Sequence, residues 1–424
     1  MRISIMGSGY VGSVTGAALS KRGHSVSLCD VSKEKIDTIL AGKAPIFEPG
    51  LEEVIASSLF LGRLSATTDI EKSILDSEVV MLCVGTPPKE DGSTDLAYIL
   101  SAAKTIGSLL SKKEGYCLVV VKSTVPPGTT DLVSEAISQA SGKKEGVDFG
   151  TAMNPEFLRE GAALEDFENP DRLVLGVRSK KDEELMRQIY ASFSCPFLIC
   201  DPKTAEMAKY AANCMLATRI SFVNELSNAC KALGVDTFKV LEGLGLDHRV
   251  GRHVLNPGIG FGGSCLPKDV SSLLHTFSIA GQDPELLHAV VRVNQKQPKL
   301  FVESLKKNLG SLSQKFTVLG LSFKAGTDDV RDSPAIKVVE LLIKEGAQIK
   351  AYDPKAMENA KKLLGDKIAY SDTLKGAVGF SDVVLVLSDW DEFKRPELYV
   401  GKKVFEGRKL FKHEKFDNFE GASW

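Results

Sequence analysis

The sequence predicts an α/β protein with two doubly wound domains joined by a long helix, and three observations lead to this expectation. Residues 3–30 read as a strand, a glycine-rich turn, a helix, a second strand and a closing acid. Residues 201–234 are apolar at helical spacing, and a helix of about thirty residues would span roughly 45 Å. Residues 315–353 repeat the strand, loop, helix, strand and acid order. A chain of 424 residues is too long for one core, so two or three domains are expected, with a cleft between the two α/β domains.

The composition excludes several classes of protein. With 43% apolar residues, 25% charged residues and a net charge of −2, the chain is typical of a globular protein and lacks the basic balance of a nucleic-acid binder. Its longest apolar runs, such as "VVMLCV", fall well short of the roughly 18 residues of a membrane span. The N-terminus starts directly with a strand pattern, which favours the cytoplasm over secretion. The eight cysteines show no C-x-x-C pair and no metal-like spacing with histidine, so we expect thiols and no metal site.

The glycine-rich turn "GSGYVG" predicts a dinucleotide site of the Rossmann type. Gly7 permits the tight turn, Gly9 lets the backbone approach a pyrophosphate, and Gly12 lets the helix pack on the strand. Asp30 closes the second strand, where a carboxylate can bind the ribose hydroxyls and would repel a 2′-phosphate. The expected cofactor is therefore NAD and not NADP. A glycine-rich turn that binds nothing is the alternative interpretation.

Polar residues elsewhere extend the candidate site. Thr86 and Thr124 follow strand-like runs, and the carboxyl ends of parallel strands are where ligands bind, although either threonine could simply cap its loop. On the long helix, Lys209 and Asn213 share one face, with Glu206 one turn earlier. By itself this stripe is better explained as a solvent-exposed face of a mostly apolar helix.

The decapeptide "GFGGSCLPKD" carries the clearest chemical signal. Cys265 follows a glycine-rich segment whose bare backbone can approach a ligand, Lys268 is near enough to favour a thiolate, and Asp269 could hold a water or the lysine. A thiolate beside a nicotinamide indicates aldehyde oxidation through a thioester that water then hydrolyses. The alternative is a buried structural cysteine after a glycine turn.

Seven motifs, in order over nearly the whole chain, resemble the UDP-glucose/GDP-mannose dehydrogenase family: GSGYVG, VGTPPKEDGSTDL, KSTVPPGTT, NPEFLREGAALEDFENPDR, AEMAKYAANCMLATRISFVNE, GFGGSCLPKD and LGLSFKAGTDDVRDSP. The resemblance implies a twofold oxidation of a nucleotide-sugar C6 alcohol with two NAD. It implies Cys265 as the nucleophile, and Lys209 and Asn213 as the residues that steady the oxyanion. It further implies Asp269 and Thr124 as positioning the hydrolytic water.

The same resemblance implies roles for two glutamates and the remaining binding residues. Glu156 would be the general base or acid, and Glu160 would lie between substrate and nicotinamide. Because Asn154 and Pro155 look like a helix start, we expect both glutamates one turn apart on one helix face, or else acting as first-turn acids that complement the helix dipole. The implied NAD residues are Gly7, Gly9, Tyr10, Val11, Gly12, Asp30, Lys35, Thr86, Thr124, Glu160, Lys268 and Arg331. The implied nucleotide-sugar residues are Glu156, Phe157, Leu158, Arg159, Glu160, Lys209, Asn213, Arg249, Val254, Leu255, Asn256, Pro257, Gly258, Gly262 and Lys324.

The expected organisation is an NAD-binding domain over 1–200, a helical dimerisation segment with the cysteine loop over 201–300, and a UDP-binding domain over 314–424. The family implies a homodimer built on the long helix, with Arg249 reaching the neighbouring subunit's site.

One departure bears on the substrate. Leu266 stands where the UDP-glucose enzymes usually carry Phe and is common in the GDP-mannose branch, whereas "AVVRVNQKQP" and "AYDPKAMENAKK" favour the UDP-glucose branch. Relatives that act on UDP-N-acetylated hexosamines stay open. Two other classes also stay open: a two-electron dehydrogenase of the 3-hydroxyacid type, which needs neither Cys265 nor a second α/β domain, and a non-catalytic NAD sensor.

Overall fold

The computed structural model describes residues 1–411 and 416–424 and divides into two compact units, Met1–Ala212 and Asn213–Trp424. The first unit is built on one eight-stranded sheet of order β3-β2-β1-β4-β5-β6-β7-β8. All neighbouring strands pair in parallel except β6 and β7, which are antiparallel. Its strands are β1 Arg2–Met6, β2 Ser25–Cys29, β3 Leu64–Thr67, β4 Val79–Leu82, β5 Cys117–Val121, β6 Phe149–Met153, β7 Leu173–Gly176 and β8 Phe197–Cys200.

Helices cover both faces of this sheet, which explains why its central strands are apolar at every position. In β5, Leu118 and Val120 pack into one core cluster, and Val119 and Val121 pack into the cluster on the other face. The helices are α1 Tyr10–Lys21, α2 Lys33–Leu40, α3 Leu51–Phe60, α4 Ile70–Leu75, α5 Ala97–Leu110, α6 Thr129–Ser141, α7 Ala163–Glu168 and α8 Lys180–Ile189.

The predicted long helix is present as α9, Pro202–Leu233, and the division between the two units falls within it. Asp201 precedes the helix, and its carboxylate accepts hydrogen bonds from the backbone N–H (3.1 Å) and hydroxyl (2.5 Å) of Thr204. The helix stops before Gly234, whose φ of +69° suits glycine. These start and stop signals match the sequence expectation.

The second unit contains a six-stranded parallel sheet of order β11-β10-β9-β12-β13-β14, packed with helices. The strands are β9 Lys315–Leu319, β10 Gln348–Tyr352, β11 Ala369–Tyr370, β12 Val383–Val386, β13 Lys403–Glu406 and β14 Phe419–Gly421. The helices are α10 Thr237–Leu246, α11 Leu266–Ile279, α12 Glu285–Leu309, α13 Pro334–Lys344, α14 Met357–Leu364 and α15 Leu374–Val378. The prediction of two doubly wound domains and a long central helix is thus confirmed.

The first turn of each sheet is built in the same way. Gly7 has φ +100° and donates to the carbonyl of the residue before Asp30, and Gly320 has φ +91° and donates to the carbonyl of the residue before Asp353. Both acids accept hydrogen bonds from their own turn, and Asp353 is the more deeply buried of the two. Asp353 is 1% exposed and accepts backbone hydrogen bonds from Leu321, Ser322, Lys355 and Ala356, so its carboxylate holds the turn itself together.

Two features are absent from the residues that the structure describes. Among residues 1–411 and 416–424, no helix is both long and apolar enough to cross a membrane. Across the same two segments, no group of three or more His, Cys, Asp or Glu side chains is arranged to hold a metal ion.

Candidate active site

The glycine turn of the first unit leaves room for a ligand at one position and none at the others. A Cβ on Gly7 would lie 2.6 Å from the carbonyl oxygen of Cys83, and a Cβ on Gly12 would lie 1.8 Å from the carbonyl oxygen of Gly7. A Cβ on Gly9 would meet nothing within 4 Å. Gly9 therefore presents open backbone at the start of α1, as a pyrophosphate cradle requires, and the residues present fit NAD.

Asp30 lies directly after β2, where the sequence placed it. Its Oδ2 accepts hydrogen bonds from the backbone N–H (2.7 Å) and hydroxyl (2.8 Å) of Ser8, and Lys35 Nζ lies 3.9 Å away. Burial acts to raise the pKa of Asp30, but the hydrogen bonds from Ser32 and Ser8 outweigh it and hold the pKa below its usual value. The carboxyl group stays ionised, which suits binding of ribose hydroxyls and repulsion of a 2′-phosphate.

The loops after β4 and β5 are tied together at the same edge of the sheet. Thr86 Oγ1 donates to the backbone carbonyl of Thr124 at 2.9 Å. Because β1, β4 and β5 are neighbours, their carboxyl ends bring both threonines to the edge where Gly7 and Gly9 lie. Glu206, from α9, accepts hydrogen bonds from the backbone of Gly128 and Thr130 and so anchors α9 to the loop that carries Thr124.

Glu156 and Lys209 form a buried ion pair. Their oxygen and nitrogen are 2.9 Å apart, and the side chains are 7% and 3% exposed. Burial acts to raise the pKa of Glu156, but the charge and hydrogen bond of Lys209 outweigh it and lower the pKa below its usual value. The Lys209 face of α9, for which solvent exposure was an open alternative, is therefore buried here.

The expected helix start at Asn154 and Pro155 is wrong. Residues 154–159 are irregular, and the next helix, α7, begins only at Ala163. Glu156 instead accepts a hydrogen bond from the backbone N–H of Leu158 at 2.6 Å. Glu156 and Glu160 therefore do not share a helix face, and neither is a first-turn acid.

The physical reason lies in the side chain of Asn154, which is fully buried. Its Oδ1 accepts hydrogen bonds from Lys122 Nζ (3.0 Å) and from the Tyr190 hydroxyl (2.5 Å), and its Nδ2 donates to the carbonyl of Val174 at 2.9 Å. These tertiary contacts hold the chain in an irregular turn. Lys122 was not predicted, although a lysine directly after the apolar strand "CLVVV" is an unusual pattern.

Glu48 is a buried carboxylate that was not predicted from the sequence, and it links the glycine turn to the segment after Glu160. Glu48 is 5% exposed and accepts the Tyr10 hydroxyl together with the backbone N–H groups of Gly161 (2.7 Å) and Ala163 (2.6 Å). Tyr10, predicted to contact NAD, is thereby fixed to the start of α7. Burial and the neighbouring Glu48 raise the pKa of Tyr10, so its hydroxyl remains a donor.

The second unit contains the predicted thiol and its neighbours. Cys265 is half-buried and occupies the N-cap position of α11, where the helix N-terminus stabilises negative charge. Asp269 lies one turn later and is 1% exposed. Its carboxylate accepts hydrogen bonds from Asn213 Nδ2 and from Lys268 Nζ, each at 2.6 Å. The structure thus brings Asn213, Lys268 and Asp269 together within this unit.

The segment before Cys265 is held by three side chains that the sequence did not reveal. Asn294 makes two hydrogen bonds with the backbone of Phe261, at 2.7 and 3.0 Å. Asn224 Oδ1 accepts the N–H of residue 258 at 2.8 Å, and Arg408 donates to the carbonyl of residue 260 at 2.7 Å. A Cβ on Gly262 would lie 2.3 Å from the carbonyl oxygen of residue 332, so only glycine fits there.

Two predicted arginines of the second unit pair with neighbouring acids. Arg249 is 78% exposed and makes a bidentate contact with Asp247, with distances of 3.0 and 2.6 Å, so its role toward a neighbouring subunit stays a prediction. Arg331 makes a similar contact with Asp329, at 2.9 and 2.7 Å. Val254, in the predicted sugar-binding stretch, has φ +58°, a strained value for a β-branched residue and one often found at functional sites.

A glycine cradle that fits NAD and a thiol at a helix N-cap are features that an NAD-dependent dehydrogenase would use. Comparison with family models then matches three successive domains of the UDP-glucose/GDP-mannose dehydrogenase family: the NAD binding domain over residues 1–194, the central domain over 203–296 and the UDP binding domain over 317–413. The chain belongs to this family and is an NAD-dependent nucleotide-sugar 6-dehydrogenase. The resemblance drawn from the motifs is confirmed.

Individual relatives are similar over almost the whole chain. The UDP-glucose 6-dehydrogenase TuaD of Bacillus subtilis is 41% identical over 420 residues, which cover 97% of this chain and 90% of the relative. The GDP-mannose 6-dehydrogenase of Pseudomonas aeruginosa is 40% identical over 444 residues, with 100% of both chains covered. The structure of a UDP-glucose dehydrogenase from Pyrobaculum islandicum superimposes with a TM-score of 0.93 at 40% identity, covering 100% of this chain and 97% of the other.

Proposed function

We propose that the protein oxidises UDP-glucose twice at C6 to give UDP-glucuronate, with a thioester on Cys265. The observation that carries the proposal is Cys265 at the N-cap of α11, one turn before an Asp269 that holds both Lys268 and Asn213. A two-electron dehydrogenase would need no nucleophilic thiol. The similarity to UDP-glucose enzymes from a bacterium and an archaeon supports UDP-glucose as the substrate.

Each oxidation removes one hydride from C6, for which NAD, when bound, is the acceptor. In the first oxidation the alcohol proton passes to Glu156, whose lowered pKa keeps it ionised and able to act as a base. In the second, the Cys265 thiolate adds to the aldehyde carbon while Lys209 and Asn213 stabilise the oxyanion. Loss of the second hydride leaves the thioester.

Hydrolysis completes the reaction. A water positioned by Asp269 and Thr124 attacks the thioester, the carbon–sulfur bond breaks, and the thiolate of Cys265 is regenerated with the free acid. The residues proposed to hold NAD are Gly7, Gly9, Tyr10, Val11, Gly12, Asp30, Lys35, Thr86, Thr124, Glu160, Lys268 and Arg331. The residues proposed to hold the nucleotide sugar are Phe157 to Arg159, Arg249, Val254 to Gly258, Gly262 and Lys324.

The domain assignment remains part of this proposal: NAD binding over 1–200, a helical dimerisation segment over 201–300 and UDP binding over 314–424, of which residues 412–415 lie outside the described residues. In support of a dimer, α9 exposes large apolar side chains, with Met215 62% and Phe222 53% exposed. The cytoplasmic location likewise stays a prediction.

NAD reduction with a panel of nucleotide sugars tests the substrate. We expect UDP-glucose to give the highest kcat/KM, above GDP-mannose and UDP-N-acetylmannosamine, and to yield two NADH per sugar with a carboxylate product. A preference for GDP-mannose would instead be consistent with Leu266 and with the Pseudomonas relative. One NADH per sugar would contradict the thioester route, and no NADH with any sugar would favour a non-catalytic NAD sensor.

A further inference from the structure

Lys122 is a buried cation that the proposed reaction does not use. Its side chain lies at the carboxyl end of β5 and is 2% exposed. Its Nζ donates to Asn154 Oδ1 at 3.0 Å and to the Asn154 carbonyl at 3.4 Å, and both acceptors are neutral. In the described part of the chain, no carboxylate lies within ion-pair distance of this ammonium group. A buried charge without a directly bonded counterion is costly, so its presence calls for an explanation.

The surroundings of Lys122 contain neutral hydrogen-bonding groups, an aromatic ring and three titratable side chains. Asn154 receives its two hydrogen bonds, the Tyr190 hydroxyl shares the Asn154 oxygen, and the Phe167 ring centroid lies 5.8 Å from Nζ. Three titratable side chains also act on it: Cys83, Glu156 and Lys209. Burial raises the pKa of Cys83 to about 12, so that thiol is neutral. The charges facing Lys122 are therefore one carboxylate and one further ammonium.

Lys122 also holds the turn that carries Glu156. Both of its hydrogen bonds end on Asn154, two residues before Glu156, and its charge lowers the pKa of that glutamate together with Lys209. Two lysines that differ in role thus act on Glu156. Lys209 bonds the carboxylate directly, whereas Lys122 acts through space and through the Asn154 turn.

We propose that Lys122 is a positioning residue for the oxidation, a second cation that fixes the Asn154 to Glu156 turn and keeps Glu156 ionised when Lys209 turns to the substrate. The inference rests on the proposed roles of Glu156 and Lys209. Without a second cation, a buried Glu156 would take up a proton once Lys209 bonded an oxyanion, and the base would be lost.

The titration of Lys122 itself gives a readout that does not depend on activity. Burial lowers the pKa of Lys122 from 10.5 to about 8, against a smaller raising effect of the Glu156 carboxylate. Between these two values the unfolded chain binds more protons than the folded chain, so folding stability should rise with pH in this window. Replacing Lys122 removes that pH dependence.

The experiment compares Lys122→Met and Lys122→Gln with Tyr190→Phe. Tyr190→Phe removes a hydrogen bond to the same Asn154 oxygen but no charge, and so serves as the matched control. For the two Lys122 variants we expect the acidic limb of the profile of kcat/KM against pH to move up by about one pH unit. At pH values on the acidic side of that limb, kcat/KM should then be about tenfold lower than in the wild-type chain. In Tyr190→Phe the limb should stay in place.

Urea midpoints at pH 7.5 and pH 9.5 supply the second measurement. The stability difference between the wild-type chain and Lys122→Gln should shift in favour of the wild-type chain at the higher pH. The proposal is overturned if the acidic limb moves equally in Tyr190→Phe, or if it does not move in either folded Lys122 variant. It is also overturned if the stability difference between the wild-type chain and Lys122→Gln is the same at both pH values. If the wild-type chain oxidises no nucleotide sugar, the proposed function fails while the urea measurement still tests Lys122.

Discussion

Cys265→Ser is expected to produce no free acid and to lower the rate of complete oxidation by about 10³-fold or more, because a serine hydroxyl is a far weaker nucleophile than a thiolate. The first hydride transfer does not use the sulfur, so a slow release of one NADH per sugar can persist. The measurement is NADH formed per UDP-glucose, together with chromatographic detection of the carboxylate.

Cys195→Ser is the matched control for this variant. Cys195 is half-buried like Cys265 but lies in the first unit, outside the groups of residues proposed to bind or react. It should retain the wild-type rate and two NADH per sugar. Formation of UDP-glucuronate at the wild-type rate by Cys265→Ser would refute a covalent role for the sulfur.

Lys209→Met should impair both stability and catalysis. The substitution leaves Glu156 buried without the ammonium group that lies 2.9 Å away, and breaking a buried pair from one side costs about 3–5 kcal/mol. Loss of an oxyanion-stabilising cation should lower kcat about 10²- to 10³-fold. Urea unfolding and steady-state kinetics measure the two effects separately.

Two further variants separate charge burial from catalysis. The double variant Glu156→Gln with Lys209→Met removes both buried charges, so it should regain much of the stability while remaining inactive. Lys203→Met changes a lysine on the same helix that is 63% exposed and pairs with Asp131 at 3.2 Å, so it should alter stability by less than about 1 kcal/mol. Wild-type kcat in Lys209→Met would remove this lysine from the mechanism.

The sequence predicted the features that depend on local pattern. The glycine turn with Asp30, the apolar strands, and α9 with its Asp201 start and Gly234 stop all follow from short-range rules of spacing and capping. The family motifs also led to Lys209, Asn213, Lys268 and Asp269, whose contacts the structure shows within each unit.

The features that were missed depend on contacts between residues far apart in the chain. The predicted helix at Asn154 fails because Lys122 and Tyr190, 32 and 36 residues away, bond its side chain. Glu48 accepts backbone hydrogen bonds from residues 113 and 115 positions later, and Arg408 donates to a carbonyl 148 positions earlier. Hydrophobic periodicity in a single sequence contains no information about such pairs.

The central claim is that the C6 carbon becomes bonded to the sulfur of Cys265 during turnover. Acid quenching of the wild-type enzyme with UDP-glucose and NAD, followed by proteolysis and mass spectrometry, tests this claim most directly. We expect the peptide that contains Cys265 to carry a hydroxylamine-sensitive sugar acyl group that is absent in Cys265→Ser. The account would be contradicted if the Cys265 peptide stayed unmodified at every time point while UDP-glucuronate accumulated. The same peptide would also have to lack an adduct in an Asp269→Asn variant, in which hydrolysis should be slowed.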